Sequence, residues 1–483
     1  MKLADYYANH DIRRRMVEYL GGETPGEAGA VFIGRCGTPD CESFSIRPPE
    51  QLYACLDEGM EVGRSLWDRR SMILHLDIEY VNFDFPAEAF LDPDRMFALQ
   101  RPVEQTIRDI LGAYGIAPLH LISGRGHHFV WSVDRGSETF ALLANLGRIP
   151  RHVLARYRQP HPPFQEPVDE PTALAFSGLG LMMEYLAYRI KERAAAASRL
   201  PVELTAVEAG PVERGREIIS IDISEYGDPL YTRIIRVPFS VYRKARQESV
   251  AGERWVAERI SELYVVPLAG RDMTSILTTM RDPARSADLA AGVSAKIPDF
   301  SDQTRRLAGD YAQSDVRTFH EFFYSQEHQP PQAWPYTYDK TPLAMLPACA
   351  RQILEHPNDL LLKPSGIQLV TRCFLALGWH PRHIAGLIRS RYERDFGWAW
   401  RWYFYDATLR ADFYTRIFSG LFMTGRDDLI DFNCVSMREK GVCRDTAGAC
   451  GIDDFRDSLL ERRANGRLAG RPFNRLLLPA EHI

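Results

Sequence analysis

The sequence has no apolar run long enough to cross a membrane. Its hydrophobic stretches are short and interrupted by charged residues, whereas a membrane-spanning helix needs about 20 consecutive, mainly apolar residues. The first residues, MKLADYYANHDIRRRMVEYL, carry charges where a secretory signal would need an apolar core. We therefore expect a cytoplasmic protein with no membrane partner.

The chain also lacks a strong excess of charge of one sign. Its 59 Lys and Arg residues and 64 Asp and Glu residues give a formal net charge of −5. This balance argues against a uniformly basic nucleic-acid coat protein, but a local basic groove is enough for phosphate contacts. Each basic run, taken alone, is also typical of a solvated helix or strand face. The candidate basic runs are residues 233–246, 389–401 and 462–475.

Internal repeats and low-complexity segments are absent as well, and the length of 483 residues predicts two or three domains. Strand-like and helix-like segments alternate over roughly the first 240 residues, and residues 101–114 have a helical pattern with Pro102 near its start. Beyond about residue 250 the periodicity is mainly helical. We predict an α+β fold with mixed or antiparallel sheets flanked by helices, followed by an all-α domain. The predicted limits are 1–325 (core motifs 71–245), a linker at 326–342, and 343–483.

Two acidic residues lie on an apolar segment, SMILHLDIE at 71–79, that indicates a buried strand. Asp77 and Glu79 are two positions apart, so they share one face of that strand. Adjacent buried anions repel each other unless a cation lies between them, and carboxylate oxygens suit Mg²⁺ or Mn²⁺. Taken alone, an Asp-x-Glu pair more often marks a strand end whose acids face water.

A third acid, Asp222, lies in another apolar segment, IISIDIS. Three acids on buried strands are what two-metal phosphoryl transfer requires, in a nuclease as well as in a polymerase. Between these acids lies the glycine-rich turn SGRGHHFVW at 123–131. Its backbone N–H groups, Ser123, Arg125 and a following histidine are donors suited to phosphate, although an ordinary hairpin with an incidental histidine is the alternative.

In this order, the segments resemble the catalytic motifs of the archaeo-eukaryotic primases, the primase-polymerase superfamily. LHLDIEY, SGRGHHFVW and IDIS match the family's acidic strand, serine-to-histidine turn and third acid, and TRIIRVPFSVYRKAR is similar to the basic stretch that follows. The N-terminal YYANHDIRRRMVEYL is similar to the opening helix of the family's small subunit. The resemblance implies that Asp77, Glu79 and Asp222 are catalytic metal ligands. It also implies nucleotide contacts from Ser123, Arg125, His128 (rather than His127), Arg233, Arg236, Ser240 and Tyr242.

The sequence departs from the family's pattern at several positions. Glu79 stands where many small subunits have Asp, as is common in the bacterial and mitochondrial-type branches, and Tyr242 stands where His is usual. A zinc knuckle between the second and third motifs is missing, because residues 133–221 contain no cysteine. Cys36, Cys41 and Cys55 are interpreted as structural thiols, with a zinc site as the alternative.

The late cysteines lack the tight spacing of a zinc knuckle. Cys434, Cys443 and Cys450 follow a C-x8-C-x6-C pattern, and Cys349 lies far upstream. Such wide spacing fits a [4Fe–4S] cluster better than zinc, and buried thiols in a helical core are the other alternative.

A second resemblance favours the cluster. LPACARQIL, GIQLVTRCFLALGW and FNCVSMREKGVCRDTAGAC resemble the C-terminal iron–sulfur domain of the primase large subunit. The resemblance implies that Cys349, Cys434, Cys443 and Cys450 are the cluster ligands, while Cys373 belongs to the core.

Together, the two resemblances predict a primase-polymerase that makes short RNA or DNA primers on a single-stranded DNA template. The expected substrates are NTPs or dNTPs, and the expected cofactors are Mg²⁺ or Mn²⁺ and a [4Fe–4S] cluster. A helicase or another replication or defence protein is a candidate partner. Two alternatives stay open: a repair or defence polymerase that extends ends without initiating, and a catalytically silent nucleic-acid-binding relative.

Overall fold

The protein is described by a computed structural model. It covers residues 2–36, 45–160, 166–205, 216–246, 252, 254–357, 359–393, 406–427, 434–439, 442–443 and 450–464. The chain divides into two compact units. The first comprises Met1–Ala206, Gly210–Glu225 and Leu230–Gly309, and the second comprises Val207–Ala209, Tyr226–Pro229 and Asp310–Ile483. The proposed linker at 326–342 lies in the second unit, and the domain limits drawn from the sequence stay a prediction.

The strands of the first unit form two sheets. In chain order they are β1 (Ile33–Cys36), β2 (Ser45–Arg47), β3 (Glu61–Ser65), β4 (Ser71–Asn82), β5 (Leu119–Ile122), β6 (Gly126–Asp134), β7 (Val202–Leu204), β8 (Glu217–Asp222), β9 (Ile234–Arg236) and β10 (Val266–Pro267). Within the described residues, the larger sheet has the order β10-β5-β6-β4-β8-β7 and the smaller one β2-β1-β3-β9. Strand β7 runs parallel to β8, whereas the other paired strands are antiparallel. The predicted α+β class with mixed, largely antiparallel sheets is confirmed.

The helices of the first unit surround these sheets. In chain order they are α1 (Leu3–Ala8), α2 (His10–Tyr19), α3 (Leu52–Asp57), α4 (Glu88–Leu91), α5 (Pro93–Tyr114), α6 (Glu138–Leu146), α7 (Arg151–Tyr157), α8 (Glu170–Ala195), α9 (Arg254–Arg259), α10 (Met273–Thr279), α11 (Pro283–Gly292) and α12 (Ser301–Ala312). Helix α12 continues across the boundary into the second unit.

Strand β4 is the centre of the larger sheet, between β6 and β8. It is buried from Met72 to Tyr80, as the continuous apolar run predicts for a strand that is covered on both faces. Helix α5 packs on the face that bears Ile78 and His127, which are partners in the β4–β6 register. The ring of Phe97 from α5 meets the His127 ring edge-on at a centroid distance of 5.1 Å. Asp77 and Glu79 alternate with Ile78 along β4, so they lie on the opposite face of the sheet, away from α5.

Helix α5 is longer than the sequence predicts. It starts at Pro93, where the Asp92 side chain accepts the N–H of Arg95, and Pro102 lies inside it. Proline at the first helical position and an aspartate cap before it are strong start signals, and they outweigh the break expected at Pro102. The helix ends at Tyr114, and Gly115 caps it with a left-handed backbone conformation at φ 78°.

Beyond α12, the regular secondary structure in the described residues of the second unit is helical. Its helices are α13 (Asp315–Phe323), α14 (Ala348–Glu355), α15 (Pro364–Ala376), α16 (Pro381–Tyr392), α17 (Ala407–Met423), α18 (Cys434–Glu439) and α19 (Ile452–Ala464). Helix α15 is buried from Ser365 to Ala376, which makes it a core element of this unit. Over the described parts of both units, no helix combines the length and the apolar character needed to span a bilayer.

Candidate functional site

The three predicted acids lie on one face of the larger sheet. Asp77 of β4 is directly opposite Asp222 of β8 and, on its other side, His128 of β6. Glu79 is two positions along β4 and therefore shares the face of Asp77. Asp77 and Glu79 are 7% and 8% exposed. The sheet register thus brings together the three carboxylates that the sequence places far apart.

Asp77 is the carboxylate that most needs a cation. Burial raises its pKa well above the ordinary value, and the nearby carboxylates of Glu79 and Asp222 raise it further. Its Oδ1 atom is buried and accepts no hydrogen bond from the described residues. Such an atom carries an uncompensated desolvation cost. A divalent cation between Asp77 and Asp222 would satisfy it.

Glu79 is held in its ionised form by cations. The Arg125 guanidinium donates to its Oε2 atom, and the Lys244 ammonium lies 3.8 Å from Oε1. Burial alone would raise the pKa of Glu79, but Arg125 and Lys244 outweigh it and lower the pKa. In the described residues, no group of three or more His, Cys, Asp or Glu side chains is positioned to hold a metal ion as it stands. The residues present nevertheless fit Mg²⁺ or Mn²⁺, because their oxygen donors and the unsatisfied Asp77 Oδ1 are of the kind these ions bind.

A buried chain of hydrogen bonds leads to His128. Glu225 Oε1 lies 2.8 Å from His75 Nδ1, and His75 Nε2 lies 2.8 Å from His128 Nδ1. His128 Nδ1 is also 3.8 Å from Asp77 Oδ2. Its other nitrogen, Nε2, is buried without a partner in the described residues. These hydrogen bonds therefore fix the orientation of the His128 ring, so that Nε2 is the ring nitrogen that can contact a ligand.

Arg236 is also held in place. Its Nε donates to Glu61 Oε1 at 3.1 Å, and its guanidinium lies over the ring of Tyr242, 4.6 Å from the centroid. Glu61 is 2% exposed and accepts the backbone N–H of Arg243 through its second oxygen. Arg233 directly precedes β9, the strand that contains Arg236, and its guanidinium donates to Ser224 O at 3.4 Å. These contacts pre-orient a basic strand beside the acids.

Tyr242 occupies the position where the resembled family usually has histidine. Burial raises its pKa to about 12, so it stays a neutral phenol. Its ring presses on the glycine-rich turn, because a Cβ at Gly124 would lie only 2.5 Å from Tyr242 Cε1. Glycine at 124 is therefore required by the packing of Tyr242.

The side chains of two predicted nucleotide contacts, Ser123 and Ser240, form hydrogen bonds with the backbone. Ser123 is 1% exposed, and its hydroxyl donates to Gly126 O across the turn. Ser240 is fully buried and its Oγ accepts the N–H of Val62 at 2.7 Å. In this arrangement both serines shape the site, and a direct contact of either with a nucleotide stays a prediction.

The loop that contains Ser240 has a strained backbone, and helix α1 holds it in place through hydrogen bonds. Phe239 has a φ of 67°, an uncommon conformation for a bulky residue. The Tyr6 hydroxyl donates to Phe239 O at 2.9 Å, and the Tyr7 hydroxyl accepts the N–H of Val241 at 2.9 Å. Helix α1 therefore positions the segment that leads to Tyr242 and Lys244.

A cavity of about 980 Å³ lies elsewhere on the first unit. It is lined by Ser71 and Ile73 of β4, but it contains none of the predicted site residues. Asp68 in its wall already pairs with Arg64 and accepts the N–H groups of Arg70 and Ser71. Volume alone therefore does not single out the candidate site. The candidate site is distinguished by the electrostatics of the sheet face that bears Asp77, Glu79 and Asp222, which we call the acidic face.

Comparison with known proteins gives one weak similarity. No protein-family model matches the chain, and no curated protein matches it in sequence. A solved structure described as the polymerase domain from Mycobacterium tuberculosis Ligase D in complex with DNA is similar at 14% identity and a TM-score of 0.31. The similarity covers 64% of this chain and 91% of that chain. These comparisons assign the chain to no family.

The four late cysteines are neighbours in the second unit. Burial raises the pKa of Cys349 to about 11, and the thiols of Cys443, Cys434 and Cys450 raise it as well. The backbone N–H of Ala348 donates to Cys450 O at 3.0 Å, which joins the start of α14 to the last cysteine. Cys373, by contrast, lies in the buried α15. The four thiols belong to the described residues and do not form a ready metal site there, so their role as cluster ligands stays a prediction.

The early cysteines do not form a comparable group in the described residues. Cys55 is buried in α3, and its Sγ lies 3.8 Å from Arg47 Nη1. Cys41 and the side chain of Cys36 lie outside the described residues. Their interpretation as structural thiols stays a prediction.

Sequence reasoning missed several groups of the site. His75, Glu61 and Lys244 each contact a predicted residue, and Glu225 contacts His75, yet none of the four was predicted. His75 could have been found, because it stands two positions before Asp77 and shares its face. Glu225 and Glu61 gave no such signal, since long-range packing brings them to His75 and Arg236.

Proposed function

We propose that the protein is a template-directed primase-polymerase that synthesises RNA or DNA primers from NTPs or dNTPs. The observation that carries the proposal is the pairing of Asp77 with Asp222, with Glu79 on the same face. Cationic groups lie beside these acids. Arg125 and Lys244 contact Glu79, and the positive charge of Arg236 lowers the pKa of Asp77. A nuclease needs the acids alone, whereas this cationic side favours a triphosphate substrate.

Each group has a distinct role in nucleotidyl transfer. When bound by Asp77, Glu79 and Asp222, Mg²⁺ or Mn²⁺ would activate the attacking 3′-hydroxyl and neutralise the departing pyrophosphate. The guanidinium groups of Arg125 and Arg236 suit bidentate contacts with phosphate oxygens. Lys244 would add a point charge to the same pocket, and His128 Nε2 would contact the triphosphate.

The proposal is tested with variants that keep the shape of the acidic side chains but remove their charge. The measured quantity is the incorporation of labelled nucleotide. Asp77→Asn and Asp222→Asn are expected to reduce metal-dependent incorporation of labelled nucleotide by at least about a thousandfold. Asp288→Asn, at an exposed position of α11, is the matched control and should behave as wild type. Wild-type product yield from either site variant would refute the proposal.

The finer part of the proposal is initiation. The assay uses unprimed single-stranded DNA with ribonucleotides and deoxyribonucleotides in parallel, next to the same template with an annealed primer. Products on unprimed template support a primase. Products on the primed template alone would replace this part with an enzyme that only extends ends.

We also propose that Cys349, Cys434, Cys443 and Cys450 hold a [4Fe–4S] cluster. Wide spacing and the proximity of the thiols support it. Anaerobically purified protein should contain about four iron and four sulfide ions per chain, and Cys434→Ser should lower both. Cys55→Ser, in the first unit, is the control and should not change them. One zinc and no sulfide per chain would contradict the cluster.

A further inference from the structure

One buried carboxylate, that of Glu61 in β3, joins the two ends of a basic segment beside the acidic face. Its Oε1 atom accepts a hydrogen bond from Arg236 Nε at 3.1 Å, and its Oε2 atom accepts one from the backbone N–H of Arg243 at 2.9 Å. Glu61 is 2% exposed, so both contacts are shielded from bulk water. We define the basic loop as residues 236–244. Glu61 therefore closes the basic loop at its base.

The backbone next to Glu61 supports the same loop. Val237 donates its N–H to Val62 O at 3.1 Å, and Val62 donates its N–H to Ser240 Oγ at 2.7 Å. Between these contacts, Phe239 has a φ of 67°, which a bulky residue keeps only when its surroundings fix it. The conformation of the basic loop therefore depends on its contacts with β3.

The basic loop carries one cation of the candidate site at each end. Arg236 stands at its start, and Lys244, at its end, lies 3.8 Å from Glu79 Oε1. The backbone N–H that Glu61 holds at the far end belongs to Arg243, which directly precedes Lys244. Because one carboxylate binds both ends of the loop, it sets the spacing between the two cations.

The charge of Glu61, taken alone, would act against a phosphate ligand. A buried carboxylate carries a desolvation cost, and its negative charge next to Arg236 repels an anion that binds there. Its advantage is geometric, because both oxygens of a carboxylate accept hydrogen bonds, whereas one end of an amide of the same shape is a donor. Glu61 can therefore bridge two donors, Arg236 Nε and the N–H of Arg243, at once.

We propose that Glu61 is a positioning residue for polyphosphate binding, which holds Arg236 and Lys244 in the arrangement that binds the triphosphate of the incoming nucleotide. The identity of the ligand as a nucleoside triphosphate rests on the proposed function. The contacts of Glu61 are with the basic loop, whereas metal binding is assigned to the three carboxylates of the acidic face. Loss of Glu61 should therefore impair the binding of polyphosphate and leave the affinity for the metal near its wild-type value.

The experiment uses the full-length protein and measures two quantities. These are the binding of inorganic tripolyphosphate in the presence of Mg²⁺, by calorimetry, and KM and kcat for nucleotide incorporation. The test variant is Glu61→Gln, which keeps the shape of the side chain but accepts only one of the two hydrogen bonds. The matched control is Asp68→Asn, the same change at another buried carboxylate of the first unit, which pairs with Arg64. Circular dichroism and thermal unfolding verify that both variants are folded.

Glu61→Gln is expected to weaken tripolyphosphate binding and to raise KM about ten- to hundredfold, the usual worth of a hydrogen bond to a charged group. Its kcat and its affinity for Mn²⁺ should stay near the wild-type values, and Asp68→Asn should keep the wild-type KM. An effect of charge alone has the opposite sign, because removal of an anion next to Arg236 strengthens phosphate binding. Tripolyphosphate binding by Glu61→Gln that equals or exceeds that of the wild type would overturn the inference.

A double-mutant cycle shows whether Glu61 acts through Arg236. Arg236→Gln should itself raise KM, and Glu61→Gln should raise it by a smaller factor in that background than in the wild type. If the two increases multiply, Glu61 acts independently of Arg236 and the inference is overturned. If Glu61→Gln does not fold, Glu61→Asp takes its place. It keeps the charge but is too short to reach both donors, so the same rise in KM is expected, and a wild-type KM would contradict the inference.

Failure of this inference is distinguishable from failure of the proposed function. If the wild type incorporates nucleotides and Glu61→Gln matches Asp68→Asn in both KM and tripolyphosphate binding, the inference is overturned and the function stands. If the wild type incorporates no nucleotide but its binding of tripolyphosphate depends on Glu61, the positioning role stands and the function falls.

Discussion

The two faces of the central strands β4 and β6 carry different chemistry although both are buried. Each face contains a histidine pair: His75 Nε2 lies 2.8 Å from His128 Nδ1 on one, and His120 Nε2 lies 2.9 Å from His127 Nδ1 on the other. Burial lowers the pKa of both His127, to about 3, and His128. For His127 the cause is burial. For His128, His75 and Arg236 lower the pKa further, and the charge of Glu79 raises it.

This difference separates a structural histidine from a candidate functional one. His127 lies among Phe97, His120 and Phe129, with ring contacts on several sides. His128 lies opposite Asp77 in the register and next to its carboxylate. The two residues are neighbours in sequence, and the alternation of a strand directs one to the helix-covered core and the other to the acids. Burial alone does not distinguish the two histidines, and the buried acids beside His128 are what make it the candidate.

The largest contrast is expected between Ile78 and Asp77, which are adjacent on β4. Ile78→Ala should lower the free energy of unfolding by about 2–5 kcal/mol, because a fully buried side chain leaves a cavity. Asp77→Asn should leave the stability of metal-free protein unchanged or higher, because it removes a buried like charge. Denaturant unfolding in EDTA measures both. Equal destabilisation by the two variants would show that the acidic face is ordinary core.

The histidines of β6 give the next contrast. His128→Ala should raise KM for the nucleoside triphosphate roughly ten- to hundredfold, the usual worth of a hydrogen bond to a charged group. His127→Ala should lower stability and leave KM near the wild-type value. Steady-state incorporation kinetics, combined with thermal unfolding, separate the two outcomes. A raised KM in His127→Ala alone would reverse the assignment of the faces.

A smaller effect is expected for the partners of these histidines. His75 acts as a positioning residue, so His75→Leu should raise KM severalfold, and His75→Gln should recover part of the loss because its amide can still hold His128 Nδ1. His120→Leu, the matched change on the other face, should alter stability only. If His75→Leu and His120→Leu have the same kinetic profile, the buried chain from Glu225 has no positioning role.

Much of this contrast follows from the sequence, and some of it does not. The alternation around Asp77 and Glu79 places them on one face, and the apolar run around them predicts β4. The pairing of Asp77 with Asp222 is not local, so only the motif order indicated it, and Glu225 is brought to His75 by a 3-10 turn at Ser224–Gly227. Lys244 was overlooked because its contact with Glu79 depends on the loop that Tyr6 and Tyr7 hold.

The smallest expected effect is the pH dependence of stability in metal-free protein. The pKa of Asp77 is raised in the folded state, so the folded protein binds this proton more tightly than the unfolded chain does. Its contribution to stability is fully present below the unfolded pKa, near 3.9, and is lost as the pH rises through the raised value. Asp77→Asn should remove that part of the profile. An unchanged profile in the variant would contradict the electrostatic description of the acidic face.

Binding of Mn²⁺ to the wild type and to Asp77→Asn, followed by electron paramagnetic resonance, tests the central claim most directly. The acidic face should bind Mn²⁺ in the wild type, and Asp77→Asn should weaken this binding at least about tenfold, while the exposed Asp288→Asn keeps wild-type affinity. Equal Mn²⁺ affinity in all three proteins would show that Asp77, Glu79 and Asp222 do not form a cation site.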